Sequence, residues 1–282
     1  MTGGDVSWIN VSGSIERVMD MQRLESIESP MGVIARRLDA RIPLGDVATQ
    51  AVLALPHRVR RLRAHELFLR EGQRPQTSTV LIDGYLYRHK LVQDGGRQIV
   101  AIHIPGDFID LQNILLDEAD HNIQALTAAT IAEFPHAEML DLAFRHPTIG
   151  KALWRESLVE ASLFREWIAN IGRRDARARV AHLLCEMAVR REAAGLGPRD
   201  RFELPMTQEQ IGDALALTAV HVNRTLRALE SDGLIGRSKR AITVADWRGL
   251  RAAADFNENY LHLREMAEPA EFGAWGRDGA QA

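Results

Sequence analysis

The chain has 282 residues, 46% of them hydrophobic and 26% charged, and its formal net charge is −3. That length allows two ordinary domains, since one domain usually takes roughly 100 to 200 residues, and the composition excludes a chain that is disordered throughout. The small net charge neither supports nor excludes nucleic-acid binding, which would need a local cationic patch. Cys185 is the single cysteine, so one chain can form no disulfide and no four-cysteine iron–sulfur or metal site.

Charged residues interrupt the first thirty positions, which excludes the apolar stretch of about 7 to 15 residues that a signal peptide requires. No later segment approaches the roughly 20 apolar residues of a membrane span. The sequence therefore predicts a cytoplasmic protein that has no membrane partner, and a reducing compartment fits the lone cysteine.

Residues 1–44 form a polar leader of mixed charge, and the sequence assigns no role to it. Ser29-Pro30 and Gly32 are expected to break any long helix there. From Gly45 onward, short apolar runs alternate with turn residues, which predicts a β domain over residues 45–146. The Asp94-Gly95 pair is typical of a tight hairpin, because glycine tolerates positive φ. The predicted strands are Glu66–Leu69, Thr79–Ile82, Tyr85–Tyr87, Gln98–Ile104 and Gln124–Phe134.

One long helix is predicted over residues 147–171, because glycine and proline are almost absent there. Its apolar and small residues form two stripes, which indicates two partners: the chain's own β domain and the same helix of a second subunit. A helix buried within one subunit is the alternative. The first stripe consists of Ala152, Val159, Leu163 and Trp167, and the predicted dimer seam consists of Trp154, Ser157, Ala161, Phe164, Ile168 and Ile171.

Residues 172–256 predict a helical domain that ends in two short strands. Cys185 adjoins the apolar face of its first helix, so we expect a core thiol there, with a redox sensor as the alternative. Thr207 and Gln210 have the spacing of a reciprocal capping box, and Thr218 can cap a second helix after a tight turn.

The second helix has two different faces. Val222, Leu226 and Leu229 repeat at helical spacing and should face the core, whereas Val220, Asn223, Arg224 and Arg227 lie on the other side. Arginine can donate two hydrogen bonds to guanine, and asparagine can pair with adenine, in the major groove of DNA. Two strand-like runs follow around a basic tip of Arg237, Lys239 and Arg240, which could reach a phosphate. A solvated helix with ordinary surface arginines is the plainer interpretation.

The order of these motifs resembles the Crp/Fnr family, through Gln210-Ile211-Gly212, the run His221-Val222-Asn223-Arg224-Thr225-Leu226, and Gly233-Leu234-Ile235. Upstream, Asp83-Gly84, the Asp94-Gly95 hairpin and Pro105-Gly106-Asp107-Phe108 are similar to that family's β-roll. The resemblance covers roughly Gly45 to Phe256. It implies an α+β fold: an antiparallel, cyclic nucleotide-binding-like β-roll, a long dimerisation helix and a C-terminal winged helix-turn-helix. A tail of unknown role follows over residues 257–282.

By this resemblance, Arg224 takes the place of the family's guanine-reading arginine, and Thr207, Gln208 and Thr218 lie where helix N-termini contact phosphates. Val220 departs from the pattern, because many relatives carry a glutamate there that accepts from a cytosine amine. Valine cannot accept a hydrogen bond, although it can touch a thymine methyl, so the half-site stays open. The full predicted DNA-binding set is Thr207, Gln208, Thr218, Val220, His221, Asn223, Arg224, Arg227, Arg237, Lys239 and Arg240.

The effector positions of the family fall on Asp110, Leu111, His121 and Asn122 in this chain. Members that bind cyclic nucleotides carry a Gly-Glu pair and an Arg followed by Ser or Thr at these positions. The substitutions disfavour cyclic AMP, because a buried phosphate needs compensating charge or several hydrogen bonds. A haem bound by histidines of the β domain is a weaker alternative, and we predict no cofactor and no metal site.

The sequence therefore predicts a transcription regulator that binds double-stranded DNA as a homodimer and reads an inverted repeat, with an unknown effector. RNA polymerase is a candidate further partner. An enzyme is disfavoured, because neither a nucleophile motif nor a phosphate-binding loop is present. The serious alternative is a ligand-responsive signalling module whose helical end docks a protein instead of DNA.

Overall fold

The computed structural model describes residues 29–263 and has the predicted α+β fold. Residues 1–28 of the leader and residues 264–282 of the tail lie outside the described residues. Among residues 29–263, no helix is both long and apolar enough to cross a membrane.

Two helices precede the β-roll: α1 (Pro30–Arg41) and α2 (Gly45–Leu53). The expectations for this segment were wrong in two respects. Gly32 does not break a helix but lies inside α1, which begins at Pro30: the Ser29 side chain accepts a hydrogen bond from the Gly32 amide, and proline is tolerated at a first helical position. Gly45–Leu53 is helical, not β, although the predicted β domain began at Gly45.

The β-roll consists of two antiparallel sheets, with strand orders β1-β7-β3 and β2-β6-β4-β5. The strands are β1 (Arg58–Leu62), β2 (Leu67–Leu69), β3 (Thr77–Asp83), β4 (Leu86–Leu91), β5 (Arg97–His103), β6 (Asn122–Ala125) and β7 (Ala129–Pro135). The β4–β5 connection is the predicted Asp94-Gly95 hairpin, and Gly95 has a φ of +83°. Strand β1 was not predicted, because its three arginines hide the apolar alternation. A 3-10 turn covers Leu111–Ile114.

Helix α3 (His136–Arg145) leads into α4 (Pro147–Arg173), which has 27 residues and is the predicted long helix. The stripe expected to face the chain's own β domain does so: Ala152 and Val159 are buried, and Leu163 and Trp167 are half-buried.

The C-terminal domain combines helices with a small antiparallel sheet of order β8-β10-β9. Its elements are α5 (Ala176–Ala193), β8 (Arg201–Glu203), α6 (Gln208–Leu215), α7 (Ala219–Ser231), β9 (Ile235–Ser238), β10 (Ala241–Val244) and α8 (Trp247–Ala254). A 3-10 turn over Glu258–Leu261 buries Leu261, and the Tyr260 hydroxyl donates to Glu186 of α5. The first residues of the predicted tail therefore pack on the core.

A continuous apolar core joins the β-roll to the C-terminal domain. Ile99 and Ile102 of β5 belong to the same buried cluster as Ile211 and Leu215 of α6. The position of the C-terminal helices is thus fixed by the outer face of the β-roll as well as by α4.

Candidate DNA-binding surface

The turn between α6 and α7 is held by close backbone packing. A Cβ at Gly212 would lie 2.3 Å from the Leu217 carbonyl oxygen, so a side chain at that position would displace the backbone. Ala216 ends α6 in the left-handed region with a φ of 53°. The start of α6 carries the predicted capping box: Thr207 accepts from the Gln210 amide, and the Gln210 side chain accepts from the Thr207 amide.

Helix α7 presents the predicted faces. Thr218 caps it by accepting a hydrogen bond from the His221 amide at 3.2 Å. Val222, Leu226 and Leu229 are buried in the core, whereas Val220 is 80% exposed. The outer face is a shallow concave surface that brings together residues of α7 and the start of α6: Gln208, Ala219, Val220, Asn223, Arg224 and Arg227.

His221 holds the guanidinium of Arg224. Arg224 Nη2 lies 2.9 Å from His221 Nε2, one helical turn before it. The ring nitrogen accepts this hydrogen bond when it carries no proton, so the contact restricts the Arg224 side chain on an otherwise open helix face. The structure thus places His221 beside Arg224 on the exposed side of α7.

The wing is the β9–β10 hairpin beside α7. Its tip residues Lys239 and Arg240 are exposed, and Lys239 adopts a φ of 55° in the turn. Arg237 differs from them, because its Nη2 lies 2.5 Å from a carboxylate oxygen of Glu230 in α7. This ion pair connects the wing to α7 and partly neutralises Arg237. The exposed positive charge of the wing therefore comes from Lys239 and Arg240.

Only part of the predicted dimer seam lies on the outer side of α4, because Phe164 lines the cavity between α4 and the β-roll and its ring faces the Arg88 guanidinium. Trp154 is 70% exposed and Ile168 66% exposed, and Ala161, Phe164 and Ile171 are half-buried. Leu158, which the sequence interpretation left out, is 56% exposed beside them. Several large apolar side chains of one helix therefore lack cover in a single subunit.

The four predicted effector residues are buried but do not line one open pocket. Leu111 lines a cavity between the β-roll, α1, α4 and α5, whereas Asp110, His121 and Asn122 are not among its walls. Asp110 Oδ1 accepts from the Thr79 amide at 2.7 Å, and Asn122 accepts from the Glu71 amide. His121 Nδ1 lies 2.6 Å from Asp120. The polar atoms of these residues are thus used to hold neighbouring segments.

Arg88 of β4 reaches into the interior of the β-roll and was missed in the sequence. It is 4% exposed, donates to the Ile109 carbonyl, and pairs with Glu160 of α4 at 2.8 Å. Its guanidinium also lies 5.6 Å from the centre of the Phe164 ring. Arg88 therefore ties the β-roll to the long helix. No sequence pattern signalled this, because strand residues point to alternate faces and polar ones usually face solvent.

Burial in the β-roll changes the pKa values of two side chains near Arg88: His121 and Asp110. Burial and the neighbouring Arg88 lower the pKa of His121 to about 4. Burial raises the pKa of Asp110 to about 7, although the Thr79 amide and Arg88 oppose that shift. A neutral His121 and an acid that titrates near neutrality add no fixed positive charge for a cyclic phosphate, and the charge of Arg88 is already paired with Glu160.

A second buried ion-pair network surrounds the cavity and joins several elements. Arg37 of α1 contacts Glu156 of α4 at 2.6 Å and Asp107 at 3.0 Å, and Arg190 of α5 contacts the same Asp107 at 2.7 Å. Helix α1 thus packs on both the β-roll and α4, so it is more than a polar leader.

The single cysteine is a buried core residue. Cys185 is buried in α5, and burial raises the pKa of its thiol to about 12, which disfavours the reactive thiolate. Within residues 29–263, no group of three or more His, Cys, Asp or Glu side chains is arranged to hold a metal ion.

Two family models match this chain, and together they cover both predicted domains. A Crp-like helix-turn-helix domain matches residues 178–253, and a cyclic nucleotide-binding domain matches residues 59–146. The nitrogen fixation regulation protein FixK of Bradyrhizobium diazoefficiens is 30% identical over 174 residues, which are 62% of this chain and 72% of that protein. The transcriptional activator protein FnrL of Cereibacter sphaeroides is 29% identical over 208 residues, 72% of this chain and 83% of the relative.

Solved structures share the architecture. FixK2 from Bradyrhizobium japonicum matches with a TM-score of 0.63 and 25% identity over 69% of this chain and 96% of its own. A CooA mutant from Carboxydothermus hydrogenoformans, at 19% identity and a TM-score of 0.58, shares the fold over 70% of this chain and 88% of its own. FnrL is named a transcriptional activator, and FixK is named a nitrogen fixation regulation protein. With its capped recognition helix and wing, this chain belongs to the Crp/Fnr family and is a DNA-binding transcription regulator.

Proposed function

We propose that the protein acts as a homodimer that inserts one α7 helix from each subunit into the major groove and reads an inverted repeat. The half-sites would lie about 34 Å apart, one turn of the duplex. The observation that carries this proposal is the outer face of α7, where Asn223, Arg224 and Arg227 stand together on a helix whose opposite face is buried.

The residues of this surface fit different tasks. We assign guanine to Arg224, because His221 restrains its guanidinium and arginine can donate two hydrogen bonds to O6 and N7 of that base. We assign adenine to Asn223 on the same grounds of donor and acceptor geometry.

We assign the phosphate contacts to the starts of α6 and α7 and to the tip of the wing. Thr207, Gln208 and Thr218 lie at the starts of α6 and α7, and a helix N-terminus favours an anion such as a phosphate. Lys239 and Arg240 at the wing tip supply positive charge for a neighbouring phosphate.

The exposed stripe on α4 supports the homodimer. Trp154, Leu158 and Ile168 leave apolar area open to water on one helix, and pairing with the same stripe of a second subunit would bury it. The two-fold axis of such a dimer would match the symmetry of an inverted repeat.

We also infer two properties from the role in transcription. A regulator of this kind works on the chromosome, so we place it in the bacterial cytoplasm. RNA polymerase is a further partner, because relatives such as FnrL are named transcriptional activators.

The test is selection of bound sequences from a random duplex pool, at one stated salt concentration, with the full-length protein and two variants. Arg224→Ala removes the proposed guanine contact. Arg63→Ala is the matched control, because it removes the same charge from a 96% exposed side chain of the β-roll.

We expect the wild type and Arg63→Ala to enrich the same inverted repeat. Arg224→Ala should bind that repeat more weakly by about 1 to 3 kcal/mol for each half-site, so by about 2 to 6 kcal/mol for the dimer, and lose its preference at one base pair of each half-site. Enrichment of a single unrepeated site, or an unchanged sequence preference in Arg224→Ala, would contradict the proposal.

A further inference from the structure

Val220 is an exposed apolar side chain on the mostly polar surface that we propose binds DNA. It is 80% exposed, and its neighbours on the same concave surface include Asn223, Arg224 and Arg227. The core side of α7 is filled by Val222, Leu226 and Leu229 instead. Val220 therefore contributes little to the folding of its own subunit, and its apolar surface is free to meet a ligand.

The chemistry of the side chain restricts what it can recognise. Valine neither donates nor accepts hydrogen bonds, so it cannot distinguish the polar edges of guanine, adenine or cytosine. The C5 methyl group of thymine is the apolar feature that bases present in the major groove. A methyl group against Val220 would be removed from water on binding, whereas a polar base edge there would lose its water without a replacement.

The position of Val220 on α7 restricts where the thymine lies. Val220 precedes Arg224 by four residues, which is about 6 Å along a helix, and neighbouring bases of one strand are about 3.4 Å apart. The base pair that Val220 meets is therefore within about two steps of the guanine assigned to Arg224.

We propose that Val220 is a specificity-determining residue that contacts the C5 methyl group of a thymine within about two base pairs of that guanine in each half-site. This assignment rests on the proposed function, because it needs α7 in the major groove. Burial of one methyl group is worth about fourfold in affinity, so the two half-sites together give about 15-fold.

The experiment uses the full-length protein and the repeat enriched from the random pool. Each thymine is replaced in turn, in both half-sites together, by deoxyuridine, which lacks the methyl group but keeps the hydrogen-bonding edges. Dissociation constants are measured at one salt concentration for the wild type, Val220→Ala and Ala219→Gly. Ala219 is the matched control, because it is also apolar and lies on the same surface.

We expect one thymine position near the guanine at which deoxyuridine weakens wild-type binding about 15-fold. Val220→Ala should reduce that difference several-fold, because alanine loses the two γ-methyl groups and keeps only its Cβ, while Ala219→Gly should keep the full difference. Equal binding of every deoxyuridine duplex by the wild type overturns the assignment. So does a methyl dependence that Val220→Ala leaves intact, or an enriched half-site with no thymine within about two base pairs of the guanine. If the pool yields no enriched sequence at all, the proposed function itself fails, which is a different result from an enriched site without methyl dependence.

Discussion

The interior of the β-roll contains buried charged side chains as well as apolar ones. Arg88 and Asp110 are almost fully buried, and each has a partner that is distant in sequence: Arg88 pairs with Glu160 of α4, although its Nε has no hydrogen-bond partner, and Asp110 accepts from the Thr79 amide. A buried charge without such partners would cost several kcal/mol. These residues therefore stabilise the interior of the β-roll. Because their charged groups already have protein partners, they are not free to bind the phosphate of an effector.

Asp110→Asn should stabilise the protein more at pH 8 than at pH 5. Because burial raises the pKa of Asp110 to about 7 in the folded state, against about 3.9 in an unfolded chain, the folded protein binds an additional proton between these values. The free energy of unfolding contributed by this group therefore falls as pH rises from about 4 to 7. Asparagine does not titrate and can still accept from the Thr79 amide.

The measurement is urea unfolding of both proteins at pH 5 and pH 8. The difference in unfolding free energy between Asp110→Asn and wild type should grow by about 2 kcal/mol between the two pH values. A pH-independent difference for Asp110→Asn would contradict the raised pKa.

At the scale of elements, the wing and α7 act on different parts of DNA. Lys239→Ala should weaken specific and nonspecific DNA binding alike, because a phosphate contact carries no base information. Lysine and alanine both carry a Cβ, so the left-handed φ of 55° at position 239 strains the backbone to the same extent in the wild type and the variant.

The check is the slope of the logarithm of the binding constant against the logarithm of salt concentration. For a dimer with two wings, Lys239→Ala should reduce that slope by about two, and Arg63→Ala should leave it unchanged. A loss confined to the specific site would show that Lys239 reads bases and would refute this division of roles.

The outer stripe of α4 is the element on which the dimer depends. Ile168→Glu should raise the dimer dissociation constant at least 100-fold, because association would bury an unpaired carboxylate at a cost of several kcal/mol. Phe144→Glu is the matched control: Phe144 is 82% exposed on α3, outside the seam. Sedimentation equilibrium of the three proteins measures the effect. If both variants stay dimeric at the same concentrations as the wild type, the seam lies elsewhere.

At the scale of the whole molecule, the β-roll and the DNA-binding domain meet through polar contacts as well as through the shared apolar core. Arg97 of β5 pairs with Asp213 of α6 at 2.6 Å, and the Gln98 side chain donates to the Ala214 carbonyl. This interface lies on the helix that precedes the recognition helix. A change in the β-roll can therefore reach the DNA-binding surface through α6 as well as through α4.

A double-mutant cycle of Arg97→Ala and Asp213→Ala measures this contact. Both side chains are about three-quarters covered, so we expect a coupling of about 1 kcal/mol in the free energy of unfolding. The control pair is Arg74 and Glu118, which are 71% and 53% exposed and lie 3.3 Å apart within the β-roll. It should show a coupling near zero. Equal couplings in both cycles would mean that the Arg97 contact does not join the domains.

Local patterns in the sequence determined the elements whose residues interact with near neighbours. The Thr207 and Gln210 capping box, the Asp94-Gly95 hairpin, the two stripes of the long helix and the two faces of α7 all depend on fixed short spacings. Family membership and the main DNA-binding surface followed from them. The two misjudged positions are Gly32, which was expected to break a helix but lies inside α1, and Gly45, which begins a helix where the β domain was predicted to start.

Only the tertiary structure decided which polar residues are buried and which partner each one has. Arg88, Arg37 and Arg97 are ordinary arginines in the sequence, and the folded chain pairs them with Glu160, Glu156 and Asp213 across different elements. The physical reason is that an ion pair needs a distance of a few ångströms between charges that lie about 70 to 120 residues apart along the chain. No local pattern encodes that distance, so the contacts that join the β-roll, the long helix and the DNA-binding domain appear only once the chain is folded.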